Sequence, residues 1–89
     1  MIKITRAEHL GDRILRLTFS DGTMGDYDLN SVVQRDAPMV APLKDPVYFA
    51  RVFLEMGALA WPNGLELSPS AIHRRLAKSG SLRPVDAAA

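Results

Sequence analysis

The amino-acid sequence predicts an α+β domain, mostly antiparallel, with an N-terminal meander, a second hairpin, short helices and a C-terminal helix packed on one face. Three observations predict it. Between residues 13 and 19, Leu15, Leu17 and Phe19 alternate with Arg16 and Thr18, the period of a strand buried on one face only. Two turn-forming triplets, Ser20-Asp21-Gly22 and Pro62-Asn63-Gly64, stand where hairpins would reverse. Ser68-Pro69 then opens a stretch in which Ile72 and Leu76 recur at helical spacing.

Taken in order, Ile2 to His9 reads as a first strand, with Ile2 and Ile4 on one side and Leu10-Gly11-Asp12 as the reversal. Arg13 to Phe19 is the clearest strand. Ser20-Asp21-Gly22 returns the chain into Thr23 to Asp28, since a glycine after an aspartate takes positive φ at little steric cost. Leu29, Val32 and Val33 then mark one side of a short helix with Asp28 as its cap, and Asp36 to Pro42 is a connection. Asp45-Pro46 is a cap followed by a first-turn proline, which makes Tyr48, Phe49 and Val52 core contacts.

Arg51 to Glu55 and Ala58 to Trp61 form a strand pair around Met56-Gly57, with a continuous helix from Asp45 to Ala60 competing on apolar periodicity. Strands are preferred. Val52, Phe53 and Trp61 suit a sheet, and Gly57 would weaken a helix interior by about 1 kcal/mol. Leu65-Glu66-Leu67 is a short extended piece, and the last helix runs to about Lys78, where Ser79-Gly80 stops it.

At 89 residues, 47% of them hydrophobic, the chain buries one core and sits at the small end of independently stable domains. Residues 1–80 are read as that single domain and 81–89 as a flexible C-terminal tail with too little to bury. Without cysteine there is no disulfide framework or thiolate metal site, so packing alone holds the fold. No apolar run approaches the roughly 20 residues that cross a bilayer, and the N-terminus alternates where a secretory signal would be continuously apolar, so a cytoplasmic, non-membrane protein is expected.

Charge is nearly balanced overall at +1, which argues against a general electrostatic grip on nucleic acid. Its distribution is uneven. Up to Leu67, seven cations meet nine anions; beyond it, Arg74, Arg75, Lys78 and Arg83 face only Asp86. On the last helix Pro69, Ile72 and Leu76 gather on one side, and Arg74, Arg75 and Lys78 are placed opposite, a solvated face that complements the helix dipole or a contact surface for an acidic partner or phosphates.

Other constellations have ordinary readings. Asp21, Asp26 and Asp28 form an acidic group only if the hairpin brings them together; separately they suit a turn, a wet strand face and a helix cap. His9 and His73 lie far apart in sequence without a ligand-like spacing, so no metal, cofactor or acid–base set is expected. Trp61, beside Pro62-Asn63-Gly64, is either the core's largest side chain or a binding platform. The candidate partner-binding residues are therefore Arg74, Arg75, Lys78, Trp61 and Asn63.

Phe19-Ser20-Asp21-Gly22, Leu43-Lys44-Asp45 with Phe49, and Trp61-Pro62-Asn63-Gly64 running into Leu65-Glu66-Leu67-Ser68-Pro69 resemble, in order and distance, a small bacterial family known as domain of unknown function 2442. The resemblance spans Ile2 to about Leu76. Glu66 stands where that family would have Asp. The resemblance implies a small α+β domain without established activity, encoded beside another small protein in an arrangement of toxin–antitoxin type. Some relatives carry an appended helix-turn-helix, which is not expected here because a single helix and a tail follow the Pro62-Asn63-Gly64 turn.

Together these readings make a non-catalytic protein-interaction or regulatory module the leading expectation, meeting a protein partner through a sheet edge or the basic helix face. An accessory nucleic-acid-binding protein is the alternative, an enzyme comes last, and a homo-oligomer is compatible with all of them.

Overall fold

The structure, a computed structural model, describes residues 1–85. Three strands follow one another at the N-terminus, β1 (Ile4–Gly11), β2 (Ile14–Phe19) and β3 (Thr23–Asp28), and pair antiparallel as a meander. Leu15, Leu17 and Phe19 are buried, as the alternation requires, and their polar neighbours face outward. The first strand reaches further than expected. Leu10 and Gly11 belong to β1, and the reversal falls on Asp12 and Arg13, with Asp12 at φ +47°. Gly11 pairs with Ile14 across a register irregularity, which moves the turn one step along the chain.

Helix α1 (Asn30–Val33) presents Val32 and Val33 to the core beside buried Leu29. Asp28 is not its cap, because Leu29 occupies that position; the Asp28 carboxylate instead accepts from the Asn30 backbone N–H at 2.9 Å. A 3₁₀ turn, Ala41–Lys44, closes the connection that the sequence left irregular and buries Leu43. Helix α2 (Pro46–Phe49) starts as expected. Asp45 accepts from the Val47 N–H at 3.0 Å, Pro46 holds the first turn, and Phe49 is fully buried.

Between Asp45 and Ala60 the chain forms the short helix α2 and then a hairpin, not a continuous helix. Strands β4 (Phe53–Glu55) and β5 (Ala58–Ala60) pair antiparallel around Met56 and Gly57, both at positive φ (+50° and +86°), as a two-residue turn of this twist demands. Strand β6 (Glu66–Leu67) completes a three-stranded sheet ordered β4-β5-β6. Gly57 also joins the two sheets: its carbonyl accepts from the Ile4 N–H at 2.8 Å. A Cβ at residue 57 would stand 2.6 Å from that of Lys3, so the joint requires a glycine there.

Helix α3 (Pro69–Lys78) is capped by Ser68, whose hydroxyl accepts from the Ala71 N–H at 3.2 Å. It ends in a Schellman motif. Gly80 N–H donates to the Ala77 carbonyl and Ser81 N–H to the Leu76 carbonyl. Ile72 and Leu76 face the meander, and Leu76 reaches to 3.2 Å of where a Cβ on Gly25 would lie, so the bare strand surface at Gly25 seats the helix end. Arg83–Pro84, expected within a flexible tail, forms a short strand, β7, paired with Thr23 and Met24, and Val85 N–H donates to the Gly22 carbonyl. The ladder holds this segment although it buries little. Residues 86–89 of the expected tail lie outside the described residues. No described helix is long and apolar enough to cross a membrane.

Candidate functional site

The two sheets present outer faces of opposite character. On the larger sheet the register aligns Glu8, Arg16 and Asp26 across β1, β2 and β3. Arg16 grips Asp26 through two bonds of 2.8 and 3.1 Å, and Arg6 meets Glu8 at 2.9 Å. The Arg16 hydrogen bond is the chief cause that holds the Asp26 carboxyl below the ordinary carboxylate range. This face satisfies its own charges.

The smaller sheet does not. Opposite pairs Phe53 with Ala60 and Ala60 with Glu66 put these side chains, and Glu55 two residues from Phe53, on one side of β4-β5-β6; Leu54, Leu59 and Leu67 turn to the core. Phe53 keeps 43% of its surface exposed. Between Phe53 and Pro62 runs a groove of about 220 Å³ with Ala60, Trp61 and Gly64 in its walls and Glu55 and Glu66 at its rim. Among the described residues no basic group lies within 4.0 Å of either glutamate.

The turn beside this groove is held from three sides. Asn63 donates its backbone N–H to the Tyr48 hydroxyl at 2.9 Å and its side-chain amide to the Met39 carbonyl at 2.9 Å, and its Oδ1 accepts from Leu65 N–H at 3.1 Å. Trp61, 1% exposed, lies tilted against Phe49 and donates its indole N–H to the Phe49 carbonyl at 3.0 Å. Phe49 is also faced by His9 and by the Arg13 guanidinium, 5.2 Å from its ring centre. Both sequence candidates in this turn have architectural contacts: the Trp61 ring is buried, and the Asn63 side chain, itself exposed, uses its oxygen and one amide hydrogen to hold the turn.

The basic residues of α3 separate. Arg74 and Lys78 are exposed and bonded to no described residue. Arg75 leaves that face. It donates to the Tyr27 hydroxyl at 3.0 Å and, with Arg35 and Glu66, lines a second cleft of about 240 Å³ between α1, β6 and α3. The reason is angular: at about 100° per residue Arg75 stands next to Ile72, at the edge of the buried stripe, whereas Arg74 and Lys78 stand across from it.

Sequence reading missed the contact of Asp21 with His73. Their 2.9 Å bond joins residues 52 apart, and Thr23 donates to the same carboxylate at 2.6 Å. Thr23 is the largest cause of the lowered Asp21 pKa, with His73 adding to it. His73 Nε2 faces both Asp21 and, at 3.5 Å, the Thr23 hydroxyl. A relay needs the two ring nitrogens to address acid and nucleophile separately, so this trio braces a turn. The three aspartates do not converge: Asp21 binds His73 and Thr23, Asp26 binds Arg16, and Asp28 binds Asn30.

The sequence profile of a family described as protein of unknown function (DUF2442) matches residues 4–77. The chain belongs to this family. No curated protein and no solved structure matches it. In this DUF2442 domain the motifs that carried the resemblance are structural. Gly22 closes the β2–β3 turn at φ +84°, Asp45 caps α2, and Asn63 clasps the turn that walls the groove. Glu66, the departure from the expected Asp, is neither cap nor turn residue, since Ser68 caps α3; it lies on the open face of β6.

Proposed function

We propose that this DUF2442 domain is a non-catalytic protein-interaction or regulatory module, one half of a two-protein cytoplasmic system, that meets its partner on the outer face of β4-β5-β6. The observation that carries this reading is the contrast between the two outer faces. Charges on the meander are internally paired, whereas Phe53, Glu55 and Glu66 on the small sheet are left to solvent. Exposed aromatics beside a groove are frequent interface anchors. Both clefts also fall below the roughly 300–1,000 Å³ usual for small-molecule sites, a size that suits one or two side chains of a partner.

Edge pairing by the meander is disfavoured on physical grounds. Its β1 edge carries two register irregularities and the exposed polar residues Arg6 and His9, devices that blunt strand addition, and β7 covers the start of the β3 edge. A second reading, nucleic-acid binding, draws on the exposed Arg74 and Lys78, which are unpaired among the described residues.

The test is to purify whatever accompanies the tagged domain from its own cell and measure its binding to two variants. Phe53→Ser should weaken a protein partner about 10-fold or more, and the Arg74→Glu, Lys78→Glu double variant should leave that binding unchanged. Retained binding in Phe53→Ser, with loss in the α3 variant and a steep salt dependence toward RNA or DNA, would transfer the function to the basic helix.

A further inference from the structure

Resting on that reading, we infer that the groove of β4-β5-β6 receives an extended, cationic segment of the partner, with an arginine laid across Phe53 and its head group at Glu55 or Glu66. The argument is charge complementarity on an apolar seat. The groove's walls, Phe53, Ala60, Trp61, Pro62 and Gly64, contain no cation, and its only charged members are the two glutamates. Neither carboxylate is ion-paired among the described residues, and although Glu66 also borders the cleft of Arg35 and Arg75, the groove side of the sheet holds two carboxylates and no cation, a local negative potential that a cationic side chain would relieve.

Geometry favours arginine within that class. Its aliphatic stem buries against apolar surface while the guanidinium stacks on an aromatic ring and pairs in plane with a carboxylate. Phe53 supplies the ring and Glu66 the carboxylate in the same cross-strand row, about 10 Å apart at Cα for two strand spacings. Glu55 lies about 7 Å along β4 from Phe53. In an extended segment alternate residues share a side at the spacing of about 7 Å that separates Phe53 from Glu55, so of two arginines separated by one residue the first lies over Phe53, reaching across the strands toward Glu66, and the second meets Glu55. The basic helix face of a second copy shares the charge, but its contact with the groove would be heterologous and build rings or filaments, which the titration reads as self-association.

The experiment is an amide NMR titration of the full chain with acetyl-Thr-Val-Arg-Val-Arg-Thr-amide, its citrulline counterpart and its glutamate counterpart. The arginine peptide should give saturable shifts at Phe53, Glu55, Ala60, Gly64 and Glu66, weakened by salt, and the other two should not. Glu55→Gln and Glu66→Gln, conservative changes at exposed sites, should each raise Kd about 2- to 5-fold and together about 10-fold. Equal shifts with citrulline or glutamate, or shifts centred on α3, would overturn the cationic occupant. So would concentration-dependent self-association that shifts the groove and α3 together. If the arginine peptide leaves the groove unmoved while the native partner still depends on Phe53, the cationic segment is wrong and the interface stands; independence of Phe53 removes the interface itself.

Discussion

The indole N–H of Trp61 reaches the backbone carbonyl of Phe49 at 3.0 Å inside the core, joining the groove turn to helix α2. Trp61→Phe removes one of two donors to that carbonyl, which still accepts from the Val52 N–H at 3.2 Å, and should cost about 0.5–1.5 kcal/mol, whereas Trp61→Ala adds a cavity for a total of about 3–5 kcal/mol. Urea unfolding measures both. An unchanged midpoint in Trp61→Ala would mean that the ring does not fill the core.

Gly57 and Gly80 both lie at positive φ, +86° and +72°, but only Gly57 is crowded, with Lys3 Cβ 2.6 Å from the position of an added Cβ. Gly80→Ala should therefore cost about 1 kcal/mol from backbone strain alone. Gly57→Ala must also displace Lys3, the residue just ahead of β1, and should cost at least about 2 kcal/mol. Thermal unfolding of the two variants side by side tests the joint, and equal losses would show that the sheets separate freely there.

Asp26 carries a lowered pKa because Arg16 bonds its charged form. A carboxyl that is more acidic when folded stabilises the protein above its unfolded pKa of about 4 and loses that contribution as pH falls through the folded value. The Tm difference between wild type and Asp26→Asn should accordingly be present at pH 7 and vanish toward about pH 2. Asp21 follows the same sign. Since the Thr23 hydrogen bond is the larger cause, Thr23→Val should raise the Asp21 pKa, read by carboxyl NMR, more than His73→Gln does.

Arg74 and Arg75 are neighbours with different duties. Arg75→Ala breaks the bond to the Tyr27 hydroxyl and should cost about 0.5–1.5 kcal/mol, whereas Arg74→Ala should stay within about 0.5 kcal/mol. Chemical denaturation of the two variants decides the matter, and the reverse order would place Arg74, and not Arg75, against the body of the domain.

Local chemistry in the chain determines much of this fold. The alternation of Leu15, Leu17 and Phe19 is enough to orient β2, because a half-buried strand has a period of two. Asp45-Pro46 and Ser68-Pro69 place two helix starts, since cap and first-turn proline act within a single turn. Met56-Gly57 and Pro62-Asn63-Gly64 mark reversals through backbone preferences that need no distant partner. What only the tertiary structure decides depends on contacts between residues far apart in sequence. Asp21 finds His73, Asn63 finds Met39, and Arg75 turns to Tyr27, each across separations no periodicity encodes. The candidate site is of this second kind. Phe53 and Glu55 share a face by alternation along β4, but Glu66 joins them only because β4, β5 and β6 pair in one register, and nothing in the order of the residues marks a carboxylate that folding leaves unpaired.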